Sequence, residues 1–421
     1  PLNWDTSNVT DMTRMFANTE EFNQPLNWNT SNVTDMSEMF DGARSFNQPL
    51  NWDTSNVTDM TRMFADTDEF NQPLNFDIGN ANIENMFDGA TSLDISNYPV
   101  NWNSLNNDNI KRAVDIYWDN PELCRPIETW DVSMITDMSG LFKNYRNFNG
   151  NITNWNTKNV TNMSSMFYGA TSFNQPLNWN TENVTNMRSM FYGAISFNEH
   201  LNFTDTSNVK DMSYMFHGAT IFNQSLNWDT KNVTNMFQMF LGASNFNQSL
   251  NWDTRNVTNM QSMFHEAKKF NGNISNWDTK NVRDMSNMFG DATTFNQPLN
   301  WDTTNVTNID LMFDGATSFN QPLNWNTSNV TDMSGMFSNA RKFNGNITNW
   351  NTNNVTDMSE MFSGATSFNQ PLNWNTEKVE DMSAIFYNAI NFNQSLNWDT
   401  RNVTKKDHMF EGSPGKLRLY V

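Results

Sequence analysis

Cysteine is almost missing from this chain of 421 residues, since Cys124 is the only one, so an internal disulfide framework is excluded and the redox compartment stays open. Histidine is scarce too, with four residues. Basic residues number 25 against 45 acidic ones, and the formal charge of −20 repels the phosphate backbone, so nucleic acid is not an expected partner. No apolar run approaches the roughly 18 residues that a membrane helix requires, and no signal peptide is recognisable.

We expect the excess acidic charge to be spread evenly along the chain, at roughly one negative charge per repeat. Such a spread is typical of a surface that keeps a protein soluble and not of a targeting patch. The first residue is Pro1, which lies inside a repeat. We therefore expect a processed chain or a fragment of a longer protein, from which an export signal or anchor would be missing.

Large apolar side chains recur in a fixed order. The stretch from Phe46 to Phe64 reads FNQPLNWDTSNVTDMTRMF, and near-copies of it fill almost the whole sequence. A period of 24 or 25 residues accommodates one strand and one short helix but not two helices. Alignment on the aromatic residue of the L-N-W triplet gives seventeen units, at Trp4, Trp28, Trp52, Phe76, Trp102, Trp130, Trp155, Trp179, Phe203, Trp228, Trp252, Trp277, Trp301, Trp325, Trp350, Trp374 and Trp398.

Each unit predicts a strand followed by a helix. Leu50 and Trp52 alternate with Asn51, the period of two that marks a short half-buried strand. Asn56 and Asp59 predict the N-cap and the acidic first turn of the helix. The apolar face of that helix, at i, i+3, i+6 and i+7, is Val57, Met60, Met63 and Phe64.

A column two residues after each Met-Phe pair predicts the end of the helix, because Gly, Asn and Asp tolerate a left-handed backbone. Glycine fills it at Gly42, Gly89, Gly169, Gly193, Gly218, Gly242, Gly315, Gly364 and Gly412. Elsewhere it holds Asn18, Asp66, Asn144, Asp291, Asn339 and Asn388, with Glu266 as the exception.

One unit cannot bury enough apolar surface to offset the entropy of ordering it, so neighbouring units must share a core and ladder hydrogen bonds. The sequence predicts an α/β repeat solenoid of about 17 coils, each with one short strand and one short helix. We expect one continuous solenoid over residues 1–412 and an edge strand or tail at 413–421. The Trp, Phe and Met columns would form its spine, with the indoles of Trp179, Trp252 and Trp325 pointing inward.

Residues 75–129 depart from the pattern. The unit around Ile83 and Met86 is about three residues short, and 93–102 carries about three extra. Distorted coils of decayed repeats are expected here, with a local binding site or hinge near Cys124 and Trp118 as the alternative. Helix spacing persists at Ile110, Ala113, Ile116 and Tyr117, and strand spacing persists at Leu123, Ile127 and Trp130.

The repeat resembles the BspA-like leucine-rich-repeat surface proteins. The residues that carry the resemblance are Met39-Phe40, Ala43, Phe46-Asn47, Leu50, Trp52, Ser55, Val57-Thr58 and Met60. The chain departs from that pattern by placing the Trp two residues after the Leu instead of three. The longer spacing occurs only in units that read FNGNI, such as Phe148 to Trp155, where Ile replaces the Leu. The resemblance implies a right-handed solenoid, exposed on a cell or particle surface and usually assigned to adhesion, and it implies no catalytic residues.

Catalytic and metal chemistry is not expected. His217 and His265 share a repeat column but lie two units apart, which on helices spaced near 10 Å is roughly 20 Å, too far to share a metal. No phosphate-cradling glycine loop is present and no serine has an assignable base, so no cofactor and no enzyme activity are predicted. A calcium site at Asp53, Ser55 and Asp59 remains an alternative to turn and cap roles.

Two repeated polar motifs have a structural interpretation and a functional alternative. The N-V-T triplets at Asn8, Asn32, Asn56 and Asn159 match the glycosylation signal. The threonine column would suit an ice or crystal surface if it faced solvent, and its members include Thr30, Thr54, Thr157 and Thr230.

Variation between repeats indicates where selective binding is encoded. The predicted strand face is nearly constant, so it suits a glycan polymer or no ligand; its residues include Asn27, Asn51, Asn178, Asn227, Asn251, Asn324 and Asn373. The column directly after the Met-Phe pair varies and gathers aromatic residues on consecutive units. Exposed aromatic patches often mark contacts. The candidate contact stripe for a protein or carbohydrate, with surface drift as the alternative, is Tyr168, Tyr192, Tyr214, His217, Phe237, Leu241 and His265.

The carboxyl-terminal tail alternates Leu417, Leu419 and Val421, which predicts an edge strand that either folds back as a cap or adds to another copy. Two functions from different classes follow. The first is a non-enzymatic extracellular scaffold for adhesion or recognition, whose partner is a host or neighbouring-cell surface protein or glycan, or other copies of itself. The alternative is a filament, fibre or coat subunit that assembles head to tail.

Overall fold

The computed structural model describes residues 2–76, 78, 81–94, 97, 105–119, 124 and 126–418. The chain divides into two compact units, Pro1–Ile135 and Thr136–Val421. Within each unit, consecutive repeats stack as parallel coils, joined by bridges such as Asp35 to Asp59 in unit 1 and Asn235 to Asn259 in unit 2. One solenoid over 1–412, seventeen coils and a right-handed course stay predictions.

The predicted helix of the regular repeat is wrong, because the Met-Phe segment is a run of tight turns. Alternate backbone N–H groups donate to the next coil: Arg62 donates to the Glu84 carbonyl at 3.0 Å, and Phe64 to the Met86 carbonyl at 2.8 Å. Between them, Met63 donates back to the Met60 carbonyl of its own coil at 3.1 Å. The carbonyls that a helix would use internally are thus shared between short turns and a neighbouring coil.

Two left-handed residues in each turn segment also break the helix. Arg62 and Asp66, four positions apart, both have a φ of 51°. The Asp66 column is the one predicted from its Gly, Asn and Asp content, and its left-handed backbone is confirmed, including Glu266 at 58°. It ends a turn segment and not a helix. The Arg62 column was not predicted, since residues such as Tyr214 also adopt it.

The α-helix of the described residues, α1, lies in the distorted region at Ile110–Asp119, where helix spacing was predicted. The turn that leads into it is closed by Asn106, whose side-chain oxygen accepts from the backbone N–H groups of Asp108 and Asn109 at 2.8 and 3.3 Å. The strand predicted through Ile127 is wrong, because Ile127–Thr129 is a short 3-10 helix. Leu123, the first residue of that predicted strand, lies outside the described residues.

The predicted strand segments show the expected alternation of buried and exposed residues, but few of them form a regular β-sheet. Leu50, Trp52 and Thr54 are buried while Asn51 and Asp53 are exposed, as the alternation required. The described residues form only two short strands, β1 at Ser395–Leu396 and β2 at Lys416–Leu417, along with isolated bridges.

The described part of the tail folds back on its own last coil. β2 pairs with β1 in parallel, with Leu417 opposite Leu396. Arg418 donates its N–H to the Leu396 carbonyl at 2.8 Å. Leu419 and Val421, the other two residues of the predicted tail, lie outside the described residues.

The aromatic and methionine columns form most of the interior of both units, as predicted, but Trp4 in the first coil is 54% exposed. Trp179 is fully buried, and Trp252 and Trp325 are 3% and 5% exposed, so the inward direction of these indoles is confirmed. Equivalent rings stack from coil to coil, for example Trp252 on Trp277 with ring centroids 6.3 Å apart. Within a coil, Phe264 stacks on Phe270 at 3.9 Å.

Two polar columns are inter-coil ladders. The side chain of Asn56 donates to the Ser31 carbonyl at 2.7 Å, so this asparagine ties coils together and does not cap a helix. The hydroxyl of Thr230 donates to the Asp253 carbonyl of the next coil at 2.9 Å. Thr230 is fully buried, which excludes the ice-binding alternative for this column.

Candidate contact surface

The strand face presents a uniform polar surface. Asn51, Asn178 and Asn251 are exposed, as are their equivalents in the other regular coils. Where adjacent coils meet, the amide of Asn202 donates to the side-chain oxygen of Asn178 at 2.7 Å. A ladder that repeats the same group along each unit carries little information about one particular protein partner.

The aromatic stripe predicted in unit 2 is a contiguous set of side chains on the turn segments. Tyr168 stacks on Tyr192 with ring centroids 4.4 Å apart, and Tyr192 stacks on His217 at 4.3 Å. Tyr214 meets Phe237 edge to face at 5.0 Å. All members are half-buried, and they are Tyr168, Tyr192, Tyr214, His217, Phe237, Leu241 and His265.

Cations lie over one ring face of Tyr168 and one of Tyr214. Lys143 places its Nζ 5.2 Å from the ring centre of Tyr168, at one end of the stack. Arg188 places its guanidinium carbon 4.7 Å from the ring centre of Tyr214 and donates to the Ser213 hydroxyl. These are cation–π geometries. The solvent-facing parts of the stripe are therefore ring edges and phenol groups, with the positive charges of Lys143 and Arg188 beside them.

Leu241 and His265 continue the same column on the next two coils. The coils are hydrogen-bonded neighbours, because Gly218 donates to the Leu241 carbonyl and Gly242 to the His265 carbonyl, at 2.7 and 2.8 Å. Coils joined by such bonds lie roughly 5 Å apart, so the separation predicted from helix packing is wrong and should be roughly 10 Å for two coils.

Burial sets the protonation of the stripe. It lowers the pKa of His217, which is opposed by the carboxylate of Glu266 and assisted by the neighbouring His265. Burial raises the pKa of Tyr192, with the neighbouring Tyr168 and Tyr214 adding to the shift. At neutral pH both groups are therefore uncharged, and the stripe is an apolar surface carrying hydroxyl and imidazole groups.

Sequence reasoning missed two exposed isoleucines beside the stripe. Ile195 is 47% exposed and Ile221 is 42% exposed, on the same adjacent coils as Tyr192 and His217. This could have been seen in the sequence, because the other coils of unit 2 carry polar residues at these positions, apart from Ile390.

Other predicted sites have structural explanations. The side chain of Asp53 accepts from the backbone and hydroxyl of Ser55 at 3.0 and 2.7 Å, which lowers its pKa, and Asp59 accepts from the Thr61 N–H at 2.8 Å. Both are turn residues, as favoured over calcium ligands. No group of three or more His, Cys, Asp or Glu among the described residues is arranged to hold a metal.

Near Cys124, which is buried, Tyr117 packs edge to face on Trp130 with ring centroids 5.7 Å apart. Trp118 is 38% exposed. Within the ranges that the structure describes, no helix combines the length and the apolar character needed to cross a membrane.

Solved structures that resemble this chain include an internalin, a leucine-rich repeat protein and a TLR13–ssRNA13 complex. An internalin from Listeria monocytogenes is 10% identical over 74% of this chain and 90% of its own, with a TM-score of 0.25. A leucine-rich repeat protein from Eubacterium ventriosum is 12% identical over 69% of this chain and 82% of its own, with a TM-score of 0.32. The matched chain of a TLR13–ssRNA13 complex is 12% identical over 82% of this chain and 65% of its own, with a TM-score of 0.20. TM-scores this low do not establish a shared fold.

No curated protein matches the chain. The narrower likeness to BspA-like proteins stays a resemblance. Successive matches to one repeat family cover residues 2–102, 81–178, 109–227, 177–251, 248–324 and 323–417. Because these matches span nearly the whole sequence, the chain belongs to the family described as Mycoplasma protein of unknown function, DUF285.

Proposed function

We propose that this chain is a non-enzymatic recognition scaffold, displayed outside the cell, that binds a protein partner through its aromatic stripe. The observation that carries the proposal is the stack of Tyr168, Tyr192 and His217, whose centroids are 4.3 to 4.4 Å apart on three consecutive coils. The strand face repeats its polar groups from coil to coil, whereas this column does not. A side chain that differs from the repeat on adjacent coils is what selective recognition requires.

The ring geometry favours a protein over a glycan. A sugar binds an aromatic residue by lying on an open ring face. Here neighbouring rings and Lys143 occupy the faces of Tyr168 and Tyr192, and Arg188 occupies one face of Tyr214. Exposed ring edges and hydroxyl groups suit protein interfaces, which are enriched in tyrosine and arginine. The neighbouring Ile195 and Ile221 add apolar surface of the same kind.

Display at the cell surface is part of the proposal and has its own test. An antibody against the stripe should label intact cells of the source organism, and external protease should remove the signal. Labelling that appears only after the cells are lysed would contradict it. A tail-dependent filament is not proposed, because Lys416–Leu417 is paired with its own last coil.

The repeat supplies conservative variants for testing the stripe. Serine already stands at the Tyr168 column as Ser338 and at the Tyr214 column as Ser165, so serine is compatible with the fold. The test variant replaces Tyr168, Tyr192 and Tyr214 with Ser. The control is Tyr387→Ser, in the same column but outside the stripe.

Binding of labelled protein to intact cells and to purified surface proteins is measured by flow cytometry and by surface plasmon resonance. The triple variant should bind at least about tenfold more weakly, since truncating a few anchoring side chains removes most of an interface's affinity. The Tyr387→Ser control should bind like the parent chain. Equal binding by the triple variant, with unchanged circular dichroism, would show that the stripe is not the recognition surface.

A further inference from the structure

Charge is unevenly distributed between the two units, which corrects the even spread expected from the repeat. Residues 1–135 contain 22 acidic and 6 basic side chains, whereas residues 136–421 contain 23 and 19. Most of the net charge of −20 therefore belongs to unit 1. Since both units use the same repeat, equivalent surface columns can be compared directly.

One column pair shows the contrast most clearly. We define the outer pair as the two residues directly before each Phe-Asn phenylalanine. In unit 1 these pairs include Glu20 and Glu21, and two coils later Asp68 and Glu69, with Arg44 between them. Backbone bonds align them: Glu69 donates to the Arg44 carbonyl at 3.0 Å. Three of the four acids are exposed and Asp68 is half-buried, so the pairs form an acidic ridge.

In unit 2 the outer pairs contain no acidic residue at all. They carry the exposed Lys268 and Lys269 on the coil of His265, and Ile195 and Ile221 beside the stacked rings. Lys269 donates its N–H to the carbonyl of the preceding coil, as Glu69 does in unit 1. The cations found at these positions are Arg146, Lys268, Lys269, Arg341 and Lys342.

We propose that the partner of the aromatic stripe is a second copy of this chain, whose acidic ridge in unit 1 docks against Lys268, Lys269 and the apolar outer pairs of unit 2. The proposal rests on the proposed function and names the partner for the same surface. Complementary charge at equivalent columns of one repeat favours a copy of the chain over an unrelated partner. Copies displayed on neighbouring cells would hold those cells together.

The contact is expected to be weak and sensitive to salt, because exposed ion pairs are screened by ions and contribute little individually. Sedimentation equilibrium of the parent chain should show reversible association at low ionic strength. Raising the salt from roughly 0.05 M to roughly 0.5 M should weaken the association about tenfold, since the Debye length shortens severalfold.

Charge reversal tests the two sides of the contact. The acidic-ridge variant carries Glu20→Lys, Glu21→Lys, Asp68→Lys and Glu69→Lys. The basic-ridge variant carries Lys268→Glu and Lys269→Glu. Other coils of this chain already carry Lys or Glu in the outer pair, so both variant chains should fold. The control variant is Arg341→Glu with Lys342→Glu, the same charge change three coils away from Lys268.

Each ridge variant alone should be monomeric, because like charges then face each other. An equimolar mixture of the two, or one chain carrying both sets of changes, should recover association. The control should associate like the parent chain. Association of the basic-ridge variant at the parent's strength, or equal loss in the control, would overturn the proposed contact.

A parent chain that stays monomeric at every concentration in low salt would also overturn it. If the triple serine variant still lost cell binding in that case, the recognition function would stand with a different partner. Unchanged cell binding by the triple serine variant would instead refute the recognition function itself.

Discussion

The indole Nε1 of Trp252 donates to the carbonyl oxygen of Leu226, in the preceding coil, at 3.0 Å. Equivalent bonds join Trp277 to Leu250 and Trp350 to Leu323, both at 2.9 Å. The tryptophans of this column thus stack on one another and also donate a hydrogen bond to a backbone carbonyl of the neighbouring coil. This explains why an indole suits the column better than a purely apolar ring.

The first prediction concerns this bond. Trp252→Phe should lower the free energy of unfolding by about 1–3 kcal/mol, because it leaves the buried Leu226 carbonyl without its donor. The matched control is Trp374→Phe, since the buried Trp374 Nε1 has no hydrogen-bond partner among the described residues. Urea unfolding followed by circular dichroism should show a smaller loss for Trp374→Phe. Equal losses would mean that only ring packing matters.

The buried threonine ladder gives a second prediction. Thr230→Val keeps the shape of the side chain but removes the hydroxyl that donates to the Asp253 carbonyl. The loss should be about 1–2 kcal/mol of unfolding free energy, the cost of an unpaired buried acceptor. Thr230→Ser keeps the donor and should cost less, about 1 kcal/mol for the lost methyl group. A valine variant as stable as the parent would show that the hydroxyl is not needed.

The third prediction concerns Gly242, whose backbone is left-handed with a φ of 67°. An added Cβ would meet the nearest atom, the Gly218 Cα, at an ordinary 3.7 Å, so the cost of substitution is that of the backbone alone. Gly242→Ala should lower the unfolding free energy by about 1–2 kcal/mol. Gly242→Asn should cost less, because Asn tolerates this conformation and occupies the same column as Asn388. Thermal unfolding would contradict this explanation if Asn cost more than Ala.

The fourth prediction is a dependence of stability on pH. Burial holds the pKa of folded His217 below the ordinary value of 6.5, so the unfolded chain binds a proton first as the pH falls. The contribution of His217 is present above the unfolded value of 6.5 and is lost as the pH falls from there through the lower folded pKa. Melting temperatures should fall over this range, and His217→Leu, which copies Leu241, should reduce the fall.

Two carboxyl groups act in the opposite direction at lower pH. Burial raises the pKa of Asp310 and Asp314 above 3.8, so their protonation stabilises the fold as the pH approaches that value from above. The effect of His217 on the melting temperature is therefore best measured at the upper end of this pH range, where the two carboxyl groups do not yet titrate. An identical pH profile for the parent chain and His217→Leu would contradict it.

Burial could be predicted from the repeat because the sets of inward and outward residues do not depend on how the backbone closes its hydrogen bonds. Leu50 and Trp52 had to be buried on any coil that alternates, and the Met and Phe columns were too large and too regular to face water. The left-handed Asp66 column was predictable for a local reason, the small set of residues that tolerate positive φ.

The candidate site was predictable only in part. Repetition made the aromatic departures at Tyr168 and Tyr192 visible, and their shared column placed them on neighbouring coils. The cation over Tyr214 and the apolar surface of Ile195 and Ile221 depend on which columns converge at the turns. That convergence follows from the turn geometry, which the predicted helix misrepresented.

The sequence by itself determined the period, the residues of the core and the left-handed column, because each follows from the type of side chain at a fixed position. Only the tertiary structure decided that Met60 to Phe64 forms turns while Ile110–Asp119 forms a helix. Both segments place apolar residues at helical spacing, but the N–H groups of the first find carbonyls in the next coil. Those partners lie more than twenty residues away in the chain, beyond the reach of any local pattern.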